Sequence, residues 1–253
     1  MIKSRSTLTK QTIALQVYSE RNEIGREEKS ILNHAIMERL DYTYINEKSL
    51  TTPPSNLRLF VGSVEGTQMV LSSMNKVLPV PDYYPEALTK YLGSRSVKRT
   101  TINEVFATIA AGKSTFVKPV YDWKSFTGFV ADESVGYGTL SKFSIRKPVW
   151  ISEIVNFQYE FRAYVSKNEL LAVCQYTGEM DMTPNFDIIL SAIKKLKDSG
   201  YPYDTYAFDW GYTTAGEFIL VEMNGAFSIG KYCGITDKQY YTFLNNGWSM
   251  ITS

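Results

Sequence analysis

Thr205-Tyr206-Ala207-Phe208-Asp209-Trp210, then Thr213-Thr214-Ala215-Gly216, then Glu217-Phe218-Ile219-Leu220-Val221-Glu222-Met223-Asn224, is the stretch on which the fold turns. Two runs rich in aromatic and branched residues flank a small polar turn ending in glycine, which is the pattern of a β-hairpin. Side chains alternate across a strand, so Glu222 and Asn224 project from one face. If the hairpin pairs through its turn, Asp209 comes opposite that end of the sheet. Two carboxylates and an amide carbonyl then converge as oxygen donors for a hard cation. Magnesium suits such an incomplete protein set when phosphate oxygens complete its shell. The bland alternative is a solvent-facing strand with ordinary polar residues. Against it, Ile219, Leu220, Val221 and Met223 argue for burial, where a lone carboxylate is costly.

Two earlier segments carry complementary chemistry. In Phe116-Val117-Lys118-Pro119 a lysine ends an apolar strand, and Asp122-Trp123-Lys124-Ser125-Phe126-Thr127-Gly128 follows with a second lysine. Lys118 needs an anion if it is buried, and Lys124, with a glycine that permits close backbone approach, suits a phosphate clamp. The simpler reading of Lys118 is a side chain snorkelling at a strand end. Trp150-Ile151-Ser152-Glu153-Ile154-Val155 and Glu160-Phe161-Arg162 flank a bend at Asn156-Phe157. A bend frees backbone N–H and C=O groups, and adenine presents a donor and an acceptor edge to match them. Glu160 is placed to hold ribose hydroxyls. Arg162, on the same strand face, points at phosphate or a developing oxyanion, or else forms a cross-strand Glu–Arg pair. Gly136-Tyr137-Gly138 lacks the third glycine and following helix of a dinucleotide loop and is read as a turn.

Taken in order, these segments resemble the ATP-grasp superfamily of carboxylate–amine ligases, and among them the compact clade frequent in bacteriophages. The resemblance covers about residues 101–231. It implies an α/β (α+β) ATP-grasp fold, with the nucleotide held between two α+β subdomains, 101–180 and a metal-binding 181–253, behind a small N-terminal pre-grasp α/β domain over 1–100. It further implies ATP and Mg2+ as cofactors. Lys118 would contact the α-phosphate and Lys124 would lie in the phosphate-covering loop. Glu153, Ile154 and Val155 would form the adenine hinge, Glu160 would hold the ribose, and Asp209, Glu222 and Asn224 would bind magnesium. Arg162 and Lys124 are the candidate catalytic residues. The activity implied is ligation of a carboxylate to an amine through an acyl phosphate, on an amino acid, peptide or protein. A kinase, a nucleic-acid-modifying enzyme and a non-catalytic nucleotide-binding module are the alternatives. The chain departs from the pattern in two places: the loop after Lys118 is aromatic, and Ala207 stands where a basic residue is expected.

Composition narrows the field independently. Among 253 residues, Lys+Arg 27 against Asp+Glu 26 leaves a formal net charge of +1, which gives no overall field to attract nucleic acid or an anionic membrane. Arg95-Ser96-Val97-Lys98-Arg99 is a local basic run, read as a solvated linker. Cys174 and Cys233 form no disulfide framework, and with one histidine, His34, there is no set of zinc ligands. His34 lies in an amphipathic helix expected over 27–40 and reads as an ordinary helix residue, so serine–histidine and cysteine–histidine catalysis are poor fits. No signal-peptide core or membrane-length apolar run is visible, and the expectation is a soluble, cytoplasmic protein, in host cytoplasm if phage-encoded. Eighteen tyrosines are an excess. Those at 121, 137, 203, 206 and 232 are candidates for an acceptor pocket that takes small-molecule or peptide carboxylate and amine substrates. Short strands are expected at 12–18, 57–62 and 68–71, and helices at 82–92, 101–112, 185–199 and 237–250. A Thr101/Glu104 capping box is expected at the second of these helices.

Overall fold

A computed structural model describes residues 11–20, 22–123 and 125–253. Along the chain run β1 (Thr12–Tyr18), β2 (Glu23–Ile24), α1 (Arg26–Met37), β3 (Asp41–Asn46), β4 (Leu57–Val61) and α2 (Val64–Ser73). There follow β5 (Val97–Thr101), α3 (Ile102–Ala110), β6 (Thr115–Pro119), β7 (Phe129–Ala131), the short α4 (Gly136–Leu140) and β8 (Pro148–Ser152). The last are β9 (Phe157–Ser166), β10 (Glu169–Thr177), α5 (Phe186–Asp198), β11 (Tyr206–Thr213), β12 (Phe218–Gly225) and α6 (Asp237–Thr252).

The chain divides into two compact units. The first takes in residues up to Pro79 together with Ala226–Lys231 and Ile235–Ser253; the second is Val80–Gly225 with Tyr232–Gly234. The compact units divide the chain differently from a boundary at residue 100, because α6 packs on α1 and β4. In the first unit β1 is the central strand, parallel to both β3 and β4, with β2 pairing antiparallel to its last two residues. Ile13, Ala14, Leu15 and Gln16 are all buried, as expected of a strand covered on both faces. Residues 68–71 belong to a helix, where the sequence suggests a short strand. The Ser63 hydroxyl accepts the Gly66 N–H at 2.9 Å, which caps α2, and Val70 and Leu71 are buried. His34 is buried in α1, 4.4 Å from the Tyr241 ring, in keeping with an ordinary structural residue.

The second unit holds two antiparallel sheets, β5-β8-β6-β7 and β10-β9-β11-β12. The β9–β10 hairpin turns at Lys167 and Asn168, both at positive φ (53° and 59°), as a tight hairpin turn needs. The helix expected over 82–92 is a 3-10 turn from Glu86 to Leu92. Pro85 occupies the position before it and no side chain caps it, so Asp82 starts nothing. The capping box expected at Thr101 does not form either, because Thr101 is the last ladder residue of β5, paired with Pro148. The run 95–99 is not a solvated linker. Arg95 is buried, and Val97 opens β5, whose residues pair along β8. Gly136-Tyr137-Gly138 opens α4, and a Cβ on Gly136 would meet Ile109 Cδ1 at 2.3 Å, so the glycine is there for close packing on α3.

Candidate active site

The site is built on one face of the β9-β11-β12 sheet. In β11, Tyr206, Phe208 and Trp210 point into the apolar core with Phe161, Ala163 and Val165 of β9. Alternation sends Ala207, Asp209 and Gly211 to the opposite face. Across the ladders, Asp209 lies opposite Arg162 on one side and Glu222 on the other. Ala207 lies opposite Tyr164 and Asn224, and Gly211 opposite Glu160. The registers therefore gather Glu160, Arg162, Asp209, Glu222 and Asn224 on a single surface.

One irregularity makes this possible. Phe218 and Leu220 are in the core, so strict alternation would bury Glu222 beside them. The β11–β12 register instead shifts between Asp209 and Trp210, pairing Asp209 with Glu222 and Trp210 with Leu220, which leaves Val221 as an extra residue. After this bulge Met223 returns to the core while Glu222 and Asn224 take the site face. Arg95 supports the bulge: its Nη2 donates to the carbonyls of Leu220 at 2.8 Å and Val221 at 2.9 Å. Burial lowers the Arg95 pKa, and its guanidinium lies 5.4 Å from the Tyr84 ring centre. No sequence signal marks Arg95 for this work, since it sits in a run of charges that reads as surface.

The charges on the face are matched. Arg162 grips Asp209 through two hydrogen bonds, Nε to Oδ1 at 2.8 Å and Nη2 to Oδ2 at 2.7 Å, the bidentate arrangement that suits a planar guanidinium. Both partners are buried. Lys118, at the end of β6, donates to Glu222 and lies 3.4 Å from the centre of the Tyr83 ring. Lys118 is buried, not snorkelling, and the ion pair that Arg162 makes is with Asp209. Asn224 Nδ2 donates to Glu222 Oε1 at 3.0 Å and more weakly toward Asp209 Oδ2 at 3.4 Å. Burial pushes the Asp209 pKa up, against the pull of Arg162. Burial pushes on Glu222 as well, but Lys118 and the Asn224 amide outweigh it and hold that carboxyl below its usual range. For Arg162 burial is again the largest influence, and Asp209 overrides it to raise the pKa.

Around this centre, Tyr176 donates to Glu160 at 2.9 Å and stacks on Tyr232 at 4.6 Å between ring centres. Arg162 lies 4.9 Å from the Tyr232 ring centre. Burial raises the pKa of Glu160 more than the Tyr176 hydroxyl lowers it. Of the five tyrosines considered for an acceptor pocket, Tyr232 alone sits against these side chains. Tyr206 is in the core, Tyr137 stacks on Phe106, Tyr203 packs edge-on to Tyr201, and Tyr121 is exposed near Arg99. Tyr83 and Tyr176 are site neighbours that the sequence does not mark, since nothing local distinguishes them from the other tyrosines. Residues 153–156 leave the β8 ladder before β9 begins, with Ile154 exposed and the Glu153 carboxylate accepting the Ser96 N–H at 2.7 Å. Lys124 lies outside the described residues.

Two carboxylates bridged by one amide side chain offer a donor set that suits a hard divalent cation. Among the described residues no three His, Cys, Asp or Glu gather as a metal site, so the set depends on the Asn224 amide. That amide has its nitrogen toward both carboxylates and would present its oxygen after turning over.

The second unit thus sets a sheet with a strand ending in a buried Lys-Pro beside a sheet that carries an acidic face. Residues 92–243 match the model of the ATP-grasp domain of the R-2-K clade, family 2, and the chain belongs to that family. Solved structures agree on the fold. The RimK domain protein ATP-grasp from Sphaerobacter thermophilus DSM 20745 is similar at a TM-score of 0.55 and 15% identity, over 95% of this chain and 98% of that one. D-cycloserine synthetase DcsG is similar at 0.56 and 9% identity, over 94% and 99%. D-alanyl-alanine synthetase A from Vibrio cholerae O1 biovar eltor str. N16961 is similar at 0.51 and 13%, over 97% and 98%. No curated protein sequence matches the chain significantly. Among the described residues, no helix is long and apolar enough to cross a membrane.

Proposed function

We propose that this protein is an ATP-dependent ligase that joins a carboxylate to an amine by way of an acyl phosphate. The observation that carries the reading is the single face on which Asn224 contacts both Asp209 and Glu222 while Lys118 and Arg162 balance their charge. Phosphoryl transfer needs positioning and charge neutralisation more than a protein nucleophile. A chain with one histidine, buried in a helix elsewhere, suits that demand.

In this reading Lys118 exchanges Glu222 for a nucleotide phosphate, and Lys124 covers the phosphates from the following loop. The unladdered backbone of Glu153, Ile154 and Val155 receives adenine, and Glu160, oriented by Tyr176, holds the ribose. Asp209, Glu222 and Asn224 hold magnesium, which when bound screens the phosphate charge and polarises the transferred group. Arg162 holds the buried Asp209 in place through both its oxygens and faces the oxyanion that develops on the acceptor side. Tyr176 and Tyr232 wall off that side with their stacked rings. The substrates are small-molecule or peptide carboxylates and amines.

The test is ATP turnover with panels of carboxylate and amine acceptors, in the wild type and in Glu222→Gln. Removing one carboxylate from the magnesium set is expected to lower kcat about 100-fold or more, on the scale of losing one key electrostatic contact. Equal turnover in the two proteins, or no Mg-ATP binding by the wild type, overturns the reading. A stable phosphorylated acceptor with no amide product would replace the ligase with a kinase.

A further inference from the structure

Among the described residues β12, the last strand of its sheet, has β11 on one side and no strand on the other. Two groups from the chain ahead of β5 take up that open edge where the bulge falls. The Tyr83 carbonyl accepts the Met223 N–H at 2.9 Å, and Arg95 Nη2 donates to the carbonyls of Leu220 and Val221 at 2.8 and 2.9 Å. Successive carbonyls of a regular strand point to opposite edges, so one nitrogen reaches both only where the strand is bulged. Arg95 therefore fits the irregular register and would find one of these carbonyls turned away in a regular one.

Packing alone does not call for an arginine here. The side chain is buried and its Nε has no hydrogen-bond partner. Burial lowers its pKa even though Tyr84, Glu222 and Glu153 act the other way. A buried charge is costly, and an apolar side chain of the same length would fill the space at less cost. The segment that carries it is anchored on both sides. Gly93, at φ 65°, lets the chain lie against β12, since a Cβ there would meet Ile219 Cγ2 at 2.7 Å. The Ser96 N–H is taken by the Glu153 carboxylate at 2.7 Å. What the bulge decides is the face on which Glu222 stands. Without the extra residue at Val221, alternation from the buried Leu220 sends Glu222 into the core and Met223 onto the site face.

We infer that Arg95 is a positioning residue: by holding the carbonyls of Leu220 and Val221 it keeps the bulge, and so keeps Glu222 beside Asn224 on the face proposed for magnesium. Holding the bulge needs no ligand; the consequence for magnesium rests on the nucleotide reading of the site.

The experiment is amide hydrogen exchange, read by mass spectrometry on the full chain without ligand, in the wild type, Arg95→Met and Arg95→Lys. Arg95→Met keeps the length of the side chain and removes every donor. It is expected to speed exchange across β12, 218–225, roughly tenfold, while the β9–β10 hairpin, 157–177, keeps the wild-type rate. Arg95→Lys, whose ammonium still donates, is expected to fall between the two. ATP turnover reads the consequence. Arg95→Met is expected to raise the Mg2+ concentration for half-maximal turnover about tenfold, with KM for ATP at saturating Mg2+ within about twofold of the wild type. In the Glu222→Gln background the same change is expected to add nothing, because a misplaced carboxylate and a missing one are equivalent. Unchanged exchange over β12 in Arg95→Met overturns the inference, and so does a rise spread evenly over β9, β10 and β12, the sign of general destabilisation. Additive losses in the double variant overturn it as well. Exchange raised over β12 alone, with full turnover in both Glu222→Gln and Arg95→Met, would keep Arg95 as the holder of the bulge and overturn the magnesium reading of Glu222.

Discussion

Asp209 on β11 and Glu28 on α1 are both buried carboxylates, and their surroundings could hardly differ more. Asp209 sits between two strands with a guanidinium locked on both its oxygens. Glu28 has the Tyr18 hydroxyl on one oxygen, and its other partners are neutral backbone groups. Burial raises the pKa of each. At Asp209 the charge is answered inside the protein by a guanidinium on both oxygens, so the face is held together by its own pairs. At Glu28 only neutral donors answer the charge, and burial outweighs them to raise its pKa.

Breaking the matched pair is expected to have the largest effect. Arg162→Ala strands a buried carboxylate and should cost about 3–5 kcal/mol of stability in urea unfolding. The double variant Arg162→Ala/Asp209→Ala should recover much of that loss, and strictly additive losses would show that the pair is not coupled. The unmatched carboxylate predicts the opposite sign. Glu28→Gln should raise stability at neutral pH by about 1 kcal/mol, the scale of one unsatisfied buried group. The pH dependence follows from the direction of the shift. Because the folded pKa is raised, the protonated form is favoured in the fold, and its stabilisation is full below the unfolded value of about 4.3. It is lost as pH rises through the folded value, with Tyr18 and Glu27 the groups facing it. The variant should therefore gain on the wild type as pH rises from 4 to 7; a constant difference would show that Glu28 does not titrate as described.

A third carboxylate calibrates the small end of the scale. Asp237, at the start of α6, pairs with Lys231 at 3.0 Å and accepts the Ser30 hydroxyl at 2.6 Å. Burial acts to raise its pKa, but these two partners prevail and lower it. Its contribution is thus full above the ordinary aspartate value of about 3.9 and lost as pH falls through the lower folded one. The pair is only partly exposed, with the Lys231 side chain 18% and the Asp237 side chain 35% accessible, so Asp237→Asn should cost about 1 kcal/mol in thermal unfolding at pH 7 and nothing near pH 2. A larger loss would mean that this contact anchors α6 more than its exposure implies.

Much of the architecture is legible in the sequence because it is local. Alternation and turn chemistry mark the β11–β12 hairpin, and the helix expected over 185–199 is α5. The expectations that fail are those in which a local rule competes with a neighbour not adjacent in sequence. Thr101 gives up its cap to a β5 ladder, residues 68–71 join a helix capped by Ser63, and Arg95 leaves the surface to serve two carbonyls of a distant strand.

The site divides the same way. The sequence by itself determined which oxygen and nitrogen groups are available, Glu160, Arg162, Asp209, Glu222 and Asn224 with Lys118, and that each lies on a strand. Only the tertiary structure decided that they share a face. Glu222 reaches it through an extra residue at Val221, and that bulge exists because Leu220 must pack in the core while Arg95 takes up the carbonyls the irregular ladder releases. A period of two is written in the chain, but the place where the period slips is set by packing across the sheet.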